Sequence, residues 1–193
     1  MTKGRLEAFS DGVLAIIITI MVLEMKVPHG DDLAALLPLW PTFLSYVLSF
    51  VYLAIYWNNH HHLMHTVTHI SSGVMWGNML LLFNLSLIPF VTGWMGENHF
   101  AQVPTAIYGV VLLGCALSWV VLQNAIIRVE GKDSALAKAV GRDRKGRISQ
   151  VCYISAIPLA FVHPGIAGAL FALVALIWII PDTRIAKQLQ KDA

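Results

Sequence analysis

Long apolar runs constrain the fold of this chain more than any other feature of its sequence. Five runs occur, at roughly residues 6–23, 39–57, 74–95, 104–127 and 148–180. A helix needs about 20 apolar residues to cross a bilayer, so each of the first four runs is long enough for one span. The fifth is too long for a single helix, and His163, Pro164 and Gly165 interrupt it. This interruption predicts two short helices joined by a tight turn.

The runs predict an all-α fold, a single polytopic membrane domain with six transmembrane helices that covers residues 1–193. The predicted spans are about 6–25, 39–58, 73–95, 104–128, 147–162 and 165–181. The composition agrees, because charged residues make up only 12% of the chain, where a soluble domain carries about 25%.

Lys and Arg residues set the predicted orientation, since cytoplasmic loops are enriched in them. With both termini inside, Lys26 is the one basic residue of 13 on the outer side. The basic loop at residues 128–147 is thus a topology signal, and Glu130, Asp133 and Asp143 dilute its charge. We therefore expect a multi-pass protein with cytoplasmic termini and no nucleic-acid partner.

The first span begins with charged and polar residues that are costly to desolvate, Ser10 and Asp11 among them. At about 100° per residue, Ile16, Ile20 and Leu23 form one stripe, with Thr19 at its margin. Asp11 points about 140° away from Ile16, toward neighbouring helices. Spacing alone leaves two interpretations open: the stripe faces a pore, or it contacts lipid or another helix.

Histidines are concentrated at the inner end of the second span. His61, His65 and His69 recur every four residues, a spacing that allows a metal site on one helix. The alternative is a polar network, because a neutral imidazole both donates and accepts and can hold Asp11 or Ser10 across a helix interface. The chain has no Cys cluster and no HExxH motif. We therefore expect a polar network and no resident metal or other cofactor.

Two further groups of polar residues have alternative interpretations. Asn78 and Asn84, in the third span, either form interhelical hydrogen bonds, which we expect, or bind a ligand, and Pro89 is expected to bend that helix. Outside the first span, Glu24 and two aspartates, Asp31 and Asp32, either concentrate cations at an entrance or are ordinary solvated loop charges.

The residues at the start of the chain resemble a known family signature. The start of the chain contains Arg5, Phe9, Ser10, Asp11 and Gly12, followed by Ala15, Ile16, Thr19 and Leu23. These residues resemble the R-x-x-x-F-S-D signature of the transmembrane protein 175 family, the endosomal and lysosomal potassium channels. The stretches at residues 56–62 and 84–90 also resemble the second and third spans of that family. A single six-span unit resembles its prokaryotic members, which assemble as homotetramers.

The resemblance implies a potassium channel in the plasma membrane of a prokaryote, with monovalent cations and lipid as its other partners. The first helix of four subunits would line a central pore. Its constriction would consist of Ile16, Ile20 and Leu23, with Thr19 as the layer linked to potassium preference. The implied structural and gating network comprises Arg5, Phe9, Ser10, Asp11, Trp57, His60, His61 and Asn84.

The chain has no TVGYG-like segment, so selectivity must come from side chains and is expected to be modest for potassium over sodium. Two alternatives remain from the sequence. One is a secondary transporter for a cation or proton with Asp11 and His61 as a proton relay. The other is a membrane metalloenzyme that uses the histidines at residues 60–69.

Overall fold

The computed structural model describes residues 2–140 and 143–179. The basic residues Arg142, Arg184, Lys187 and Lys191 and the end of the last predicted span lie outside the described residues. The helices, in chain order, are α1 (Lys3–Leu23), a 3-10 helix (Leu33–Leu39), α2 (Trp40–His65), α3 (Ser72–Ser86), α4 (Ile88–Glu97), α5 (Gln102–Glu130), α6 (Ala135–Val140), α7 (Arg144–Val162) and α8 (Pro164–Ile179). No strand occurs in these described ranges, which confirms the all-α class.

Several helical stretches have the length and apolar composition of membrane spans. Four are sufficient on both criteria: Lys3–Leu23, Leu33–His65, Ser72–Glu97 and Gln102–Glu130. The helices α7 and α8 are shorter, with 19 and 16 described residues. At 1.5 Å per residue, the described part of α8 is about 24 Å long, somewhat less than the hydrocarbon core of a typical bilayer.

Prolines separate the helices at two places. The third predicted span is divided into α3 and α4 at Leu87, whose N–H donates to the carbonyl of Asn84 at 3.2 Å, and Pro89 lies in the first turn of α4. Likewise, α7 ends at Val162 because His163 is extended, with φ −158° and ψ 117°. Extended backbone is the conformation favoured before a proline. Both interruptions occur where the sequence has a proline.

The loop after α1 is more ordered than the sequence indicates. Asp32 accepts a hydrogen bond from the N–H of Ala35 at 3.0 Å and so begins the 3-10 helix as its N-cap. Of the three acidic residues considered for a cation entrance, Asp32 therefore has a structural role at a helix end.

Small residues bring the helices close together. A Cβ on Gly77 of α3 would lie 3.2 Å from the Cα of Leu122 in α5, so a larger residue would push the two helices slightly apart. Around α2, a buried cluster of hydroxyls joins three helices: Ser49 lies 2.6 Å from the Thr92 hydroxyl and 2.9 Å from that of Tyr108. These contacts position α2, α3 and α4, the helices against which α1 packs.

Candidate pore helix and its supporting network

One face of α1 is buried against the rest of the chain. That face consists of Leu6, Ser10, Leu14, Ile17 and Met21, and α1 packs on α2, α3 and α4. The spacing of three or four residues is that of one helical face. The apolar members of this face hold α1 in place by burial.

The opposite face of α1 is apolar and uncovered. Ile16 is 64% exposed, Ile20 42% and Leu23 79%, and Thr19 is exposed beside them. These are the four residues of the predicted pore stripe, and nothing in residues 2–140 and 143–179 covers them. A large exposed apolar surface on a membrane helix contacts lipid, another copy or a pore.

The Thr19 hydroxyl donates its hydrogen bond within its own helix. It donates to the carbonyl of Ala15 at 2.9 Å, and the carbonyl of Ile16 lies at 3.1 Å. Since a hydroxyl oxygen also has two acceptor lone pairs, the bond leaves oxygen acceptor capacity on the exposed side. Thr19 is therefore the polar residue within an otherwise aliphatic stripe.

Asp11 contacts α2 rather than the stripe. Its carboxylate accepts a hydrogen bond from the indole N–H of Trp57 at 3.0 Å, and both residues are exposed at the edge of the α1–α2 contact. Among Trp57, His60 and His61, the α2 members of the implied network, Trp57 is the one that bonds Asp11.

Ser10 belongs to a second, buried hydrogen-bonded chain. His60 donates from Nε2 to the carboxamide oxygen of Asn78 at 2.8 Å, and the Asn78 amide donates to the Ser10 hydroxyl at 2.9 Å. Ser10 in turn donates to the carbonyl of Leu6 at 2.8 Å. Ser10 and Asn78 are fully buried and His60 is 3% exposed. This set of hydrogen bonds joins α2, α3 and α1. Its central residue, Asn78, forms the interhelical hydrogen bonds that the sequence predicts for it, although the gating network implied by the family resemblance does not include it.

The remaining residues of the implied network lie elsewhere. The Arg5 side chain makes no hydrogen bond or ion pair within residues 2–140 and 143–179, and Phe9 is 47% exposed. Both lie within about 20° of Ile16 on the helical wheel, hence on the uncovered face. His61 contacts His65, with 3.1 Å between their Nε2 atoms. Asn84 donates to the carbonyl of Leu80 in its own helix at 2.9 Å. Its predicted interhelical hydrogen bond is therefore not formed among the described residues.

An ion pair follows the C-terminal end of α1. Lys26 and Glu97 form an ion pair at 2.8 Å, and the hydrogen bond to that carboxylate raises the pKa of Lys26. The Lys26 side chain is 80% exposed and that of Glu97 47%, so solvent screens the pair. It ties the loop after α1 to the end of α4 but contributes little to stability.

Comparison with known proteins identifies the family. The family model described as endosomal/lysosomal potassium channel TMEM175 matches residues 5–89. The chain is 54% identical over 192 residues to a potassium channel of Chryseobacterium sp. strain P1-3, with 100% of both chains covered. This chain belongs to the TMEM175 family.

Two further matches support the assignment to the TMEM175 family. A potassium channel of Streptomyces collinus is 32% identical, with 90% of each chain covered. The crystal structure of a lysosomal potassium-selective channel TMEM175 homologue from Chamaesiphon minutus matches with a TM-score of 0.80 at 29% identity, and covers 92% of this chain and 96% of that one. These matches confirm the predicted prokaryotic type of TMEM175 membrane protein. Because the family and these relatives are channels, they also confirm that the chain is not an enzyme.

Proposed function

We propose that this protein is a homotetrameric potassium channel with a pore lined by α1 of four subunits. One observation carries the proposal: the described part of the chain leaves the face with Ile16, Thr19, Ile20 and Leu23 uncovered. A single helix cannot enclose a pore, so the proposal requires several copies in closed cyclic symmetry. Membership of the TMEM175 family supports the choice of a pore over a lipid-facing surface.

A groove beside the stripe supports contact between copies. It runs between α1 and α4, has a volume of about 590 Å³, and includes Ile16, Ile20, Pro89 and Phe90 in its lining. Phe90 is 65% exposed. A neighbouring subunit packed in this groove would bury the apolar surface next to the pore.

The proposed orientation has six spans and both termini in the cytoplasm. The basic residues Lys3 and Arg5 begin α1, Arg128 lies in the last turn of α5, and Arg144 begins α7. A contact joins two of the proposed inner segments, since the N–H of Thr68 donates to the Glu130 carboxylate at 2.7 Å. The positive-inside rule then places this end of the bundle in the cytoplasm of a prokaryotic cell and the Lys26 end outside its plasma membrane.

Gating in this proposal depends on aliphatic side chains. A ring of four Ile16 side chains has no oxygen to replace the hydration shell of an ion, so it blocks conduction by dewetting when narrow. Ile20 and Leu23 would add layers toward the outer end. The ring of Thr19 oxygens is the polar layer among them, which suits a modest preference for potassium because its hydration shell is held more loosely than that of sodium.

Ion flux from proteoliposomes tests this function. Vesicles with the purified protein are loaded with potassium or with sodium, and efflux is followed against empty vesicles. We expect passive efflux that does not saturate, with potassium faster than sodium. Flux that saturates and requires a counter-ion would instead indicate the secondary transporter, and equal rates for the two cations would contradict potassium preference.

A further inference from the structure

We infer that His61 and His65 form a binding site for an exchangeable divalent transition-metal ion at the inner end of α2. The two residues are four positions apart on one helix, and both are exposed. Their Nε2 atoms converge to 3.1 Å, and their ring centroids lie 4.5 Å apart. The site lies within one chain, so it does not depend on the proposed pore.

The separation of the nitrogens fits chelation. Two imidazole nitrogens bound to one ion at about 2.0–2.1 Å, with an angle of about 90° to 109° at the metal, lie about 2.9 to 3.4 Å apart. The observed 3.1 Å lies within this range. A direct imidazole hydrogen bond has the same separation, so an ion would replace the shared proton between the same two atoms.

The surroundings favour a cation but supply few further ligands. His65 is the last residue of α2, where the carbonyl end of the helix dipole attracts positive charge. No group of three or more His, Cys, Asp or Glu side chains in the described residues is arranged to hold a metal ion. Water must complete the coordination sphere, which makes this an exchangeable site rather than a structural one.

The ligand chemistry selects the class of ion. Imidazole suits zinc, copper and nickel, whereas potassium, magnesium and calcium prefer oxygen ligands. Permeant potassium would therefore not compete for the pair. Zn²⁺ is a suitable probe because it has no redox chemistry and no preferred d-electron geometry.

Calorimetric titration of Zn²⁺ into the full-length protein, purified without a histidine tag, tests the site. We expect one Zn²⁺ per chain and an affinity at least about tenfold weaker in His61→Gln and in His65→Gln. His69→Gln is the matched control. His69 belongs to the same segment but lies beyond the end of α2, where its Nδ1 contacts the Thr68 hydroxyl at 2.9 Å. The His69→Gln variant should therefore bind Zn²⁺ as the wild type does.

Three results would overturn the site. They are the absence of saturable Zn²⁺ binding, an affinity unchanged in both His61→Gln and His65→Gln, and an equal loss in His69→Gln. Size-exclusion profiles establish that each variant is folded. In addition, electron paramagnetic resonance of Cu²⁺ below one equivalent should show two coupled nitrogens in the wild type, and one nitrogen would contradict chelation by the pair.

Discussion

The two faces of α1 differ in their contacts with the rest of the chain. On the buried face, Ser10 is joined through Asn78 to His60 by hydrogen bonds of 2.8 to 2.9 Å. On the uncovered face, Ile16, Ile20 and Leu23 present methyl groups and no partner from the same chain. One face thus fixes where the helix lies, and the other remains available for the pore.

The difference shows how a polar signature and the proposed apolar gate can share one helix. A directed polar contact fixes one orientation of α1, because a rotated helix leaves buried donors and acceptors unpaired. An apolar stripe has no such directional requirement, since the hydrophobic effect is not directional. If this division holds, substitutions on the two faces should change different measurable properties.

The largest effect is expected from Ile16→Asn on the uncovered face. A polar ring would hold water in the constriction and remove the barrier to ions, so cation leak should increase several-fold. The matched control is Val22→Asn, an apolar residue of α1 that is 43% exposed but points about 120° from Ile16. Proteoliposome flux should increase in the first variant and not in the second. Unchanged flux from well-folded Ile16→Asn protein would contradict the gate.

The next largest effect is expected from Asn78→Ala on the buried network. The change leaves the Ser10 hydroxyl and the His60 imidazole without their partner, which should destabilise the protein by about 2 kcal/mol. Asn84→Ala is the matched control in the same helix, because among the described residues Asn84 bonds only the backbone of its own helix. Its effect should remain below about 1 kcal/mol. The melting temperature distinguishes the two variants. It is measured from the fraction of protein that remains intact by size exclusion after heating. Equal losses of stability in the two variants would show that the interhelical hydrogen bonds of Asn78 contribute no more than the intrahelical bond of Asn84.

The hydrogen bond between Asn78 and Ser10 also shows what the sequence alone does not predict. The apolar runs and the prolines indicate the helices and their interruptions, because length and proline chemistry act locally. The stripe with Ile16 is likewise local, since it depends only on helical periodicity. By contrast, the partner of Ser10 depends on how α3 lies between α1 and α2, a tertiary arrangement that no spacing encodes.

The three adjacent histidines illustrate the same limit. His60, His61 and His62 have equal chemistry, and the sequence alone does not distinguish them as partners for the first helix. The packing of α2 against α3 buries His60 to 3% exposure beside Asn78, while His61 turns to His65 on the exposed side. Arg5 shows the converse, because its signature position predicts a network contact that is not formed among the residues described in the structure.

A smaller effect is expected at the edge between the two faces, from Asp11→Ala. Loss of the charge-assisted bond to Trp57 should reduce tetramer yield or opening by the equivalent of about 1 kcal/mol, since both groups are exposed to solvent. The potassium-to-sodium ratio should not change, because Asp11 points off the stripe. Trp57→Phe should reproduce the defect, and a double variant should add little to either change. Normal tetramers and normal flux in Asp11→Ala would refute this role.

The smallest effect is expected from Thr19→Val, which tests whether the one polar residue of the stripe tunes selectivity. Valine keeps the shape of threonine but removes the oxygen, and Thr19 is exposed and bonded only to its own helix, so folding should be unaffected. Because potassium meets the same aliphatic constriction in both forms, flux should persist while its preference over sodium falls modestly. Thr19→Ser retains the oxygen and should keep the ratio. Bi-ionic flux measurements provide that ratio, and an unchanged value in Thr19→Val would assign the preference to the width of the aliphatic ring alone.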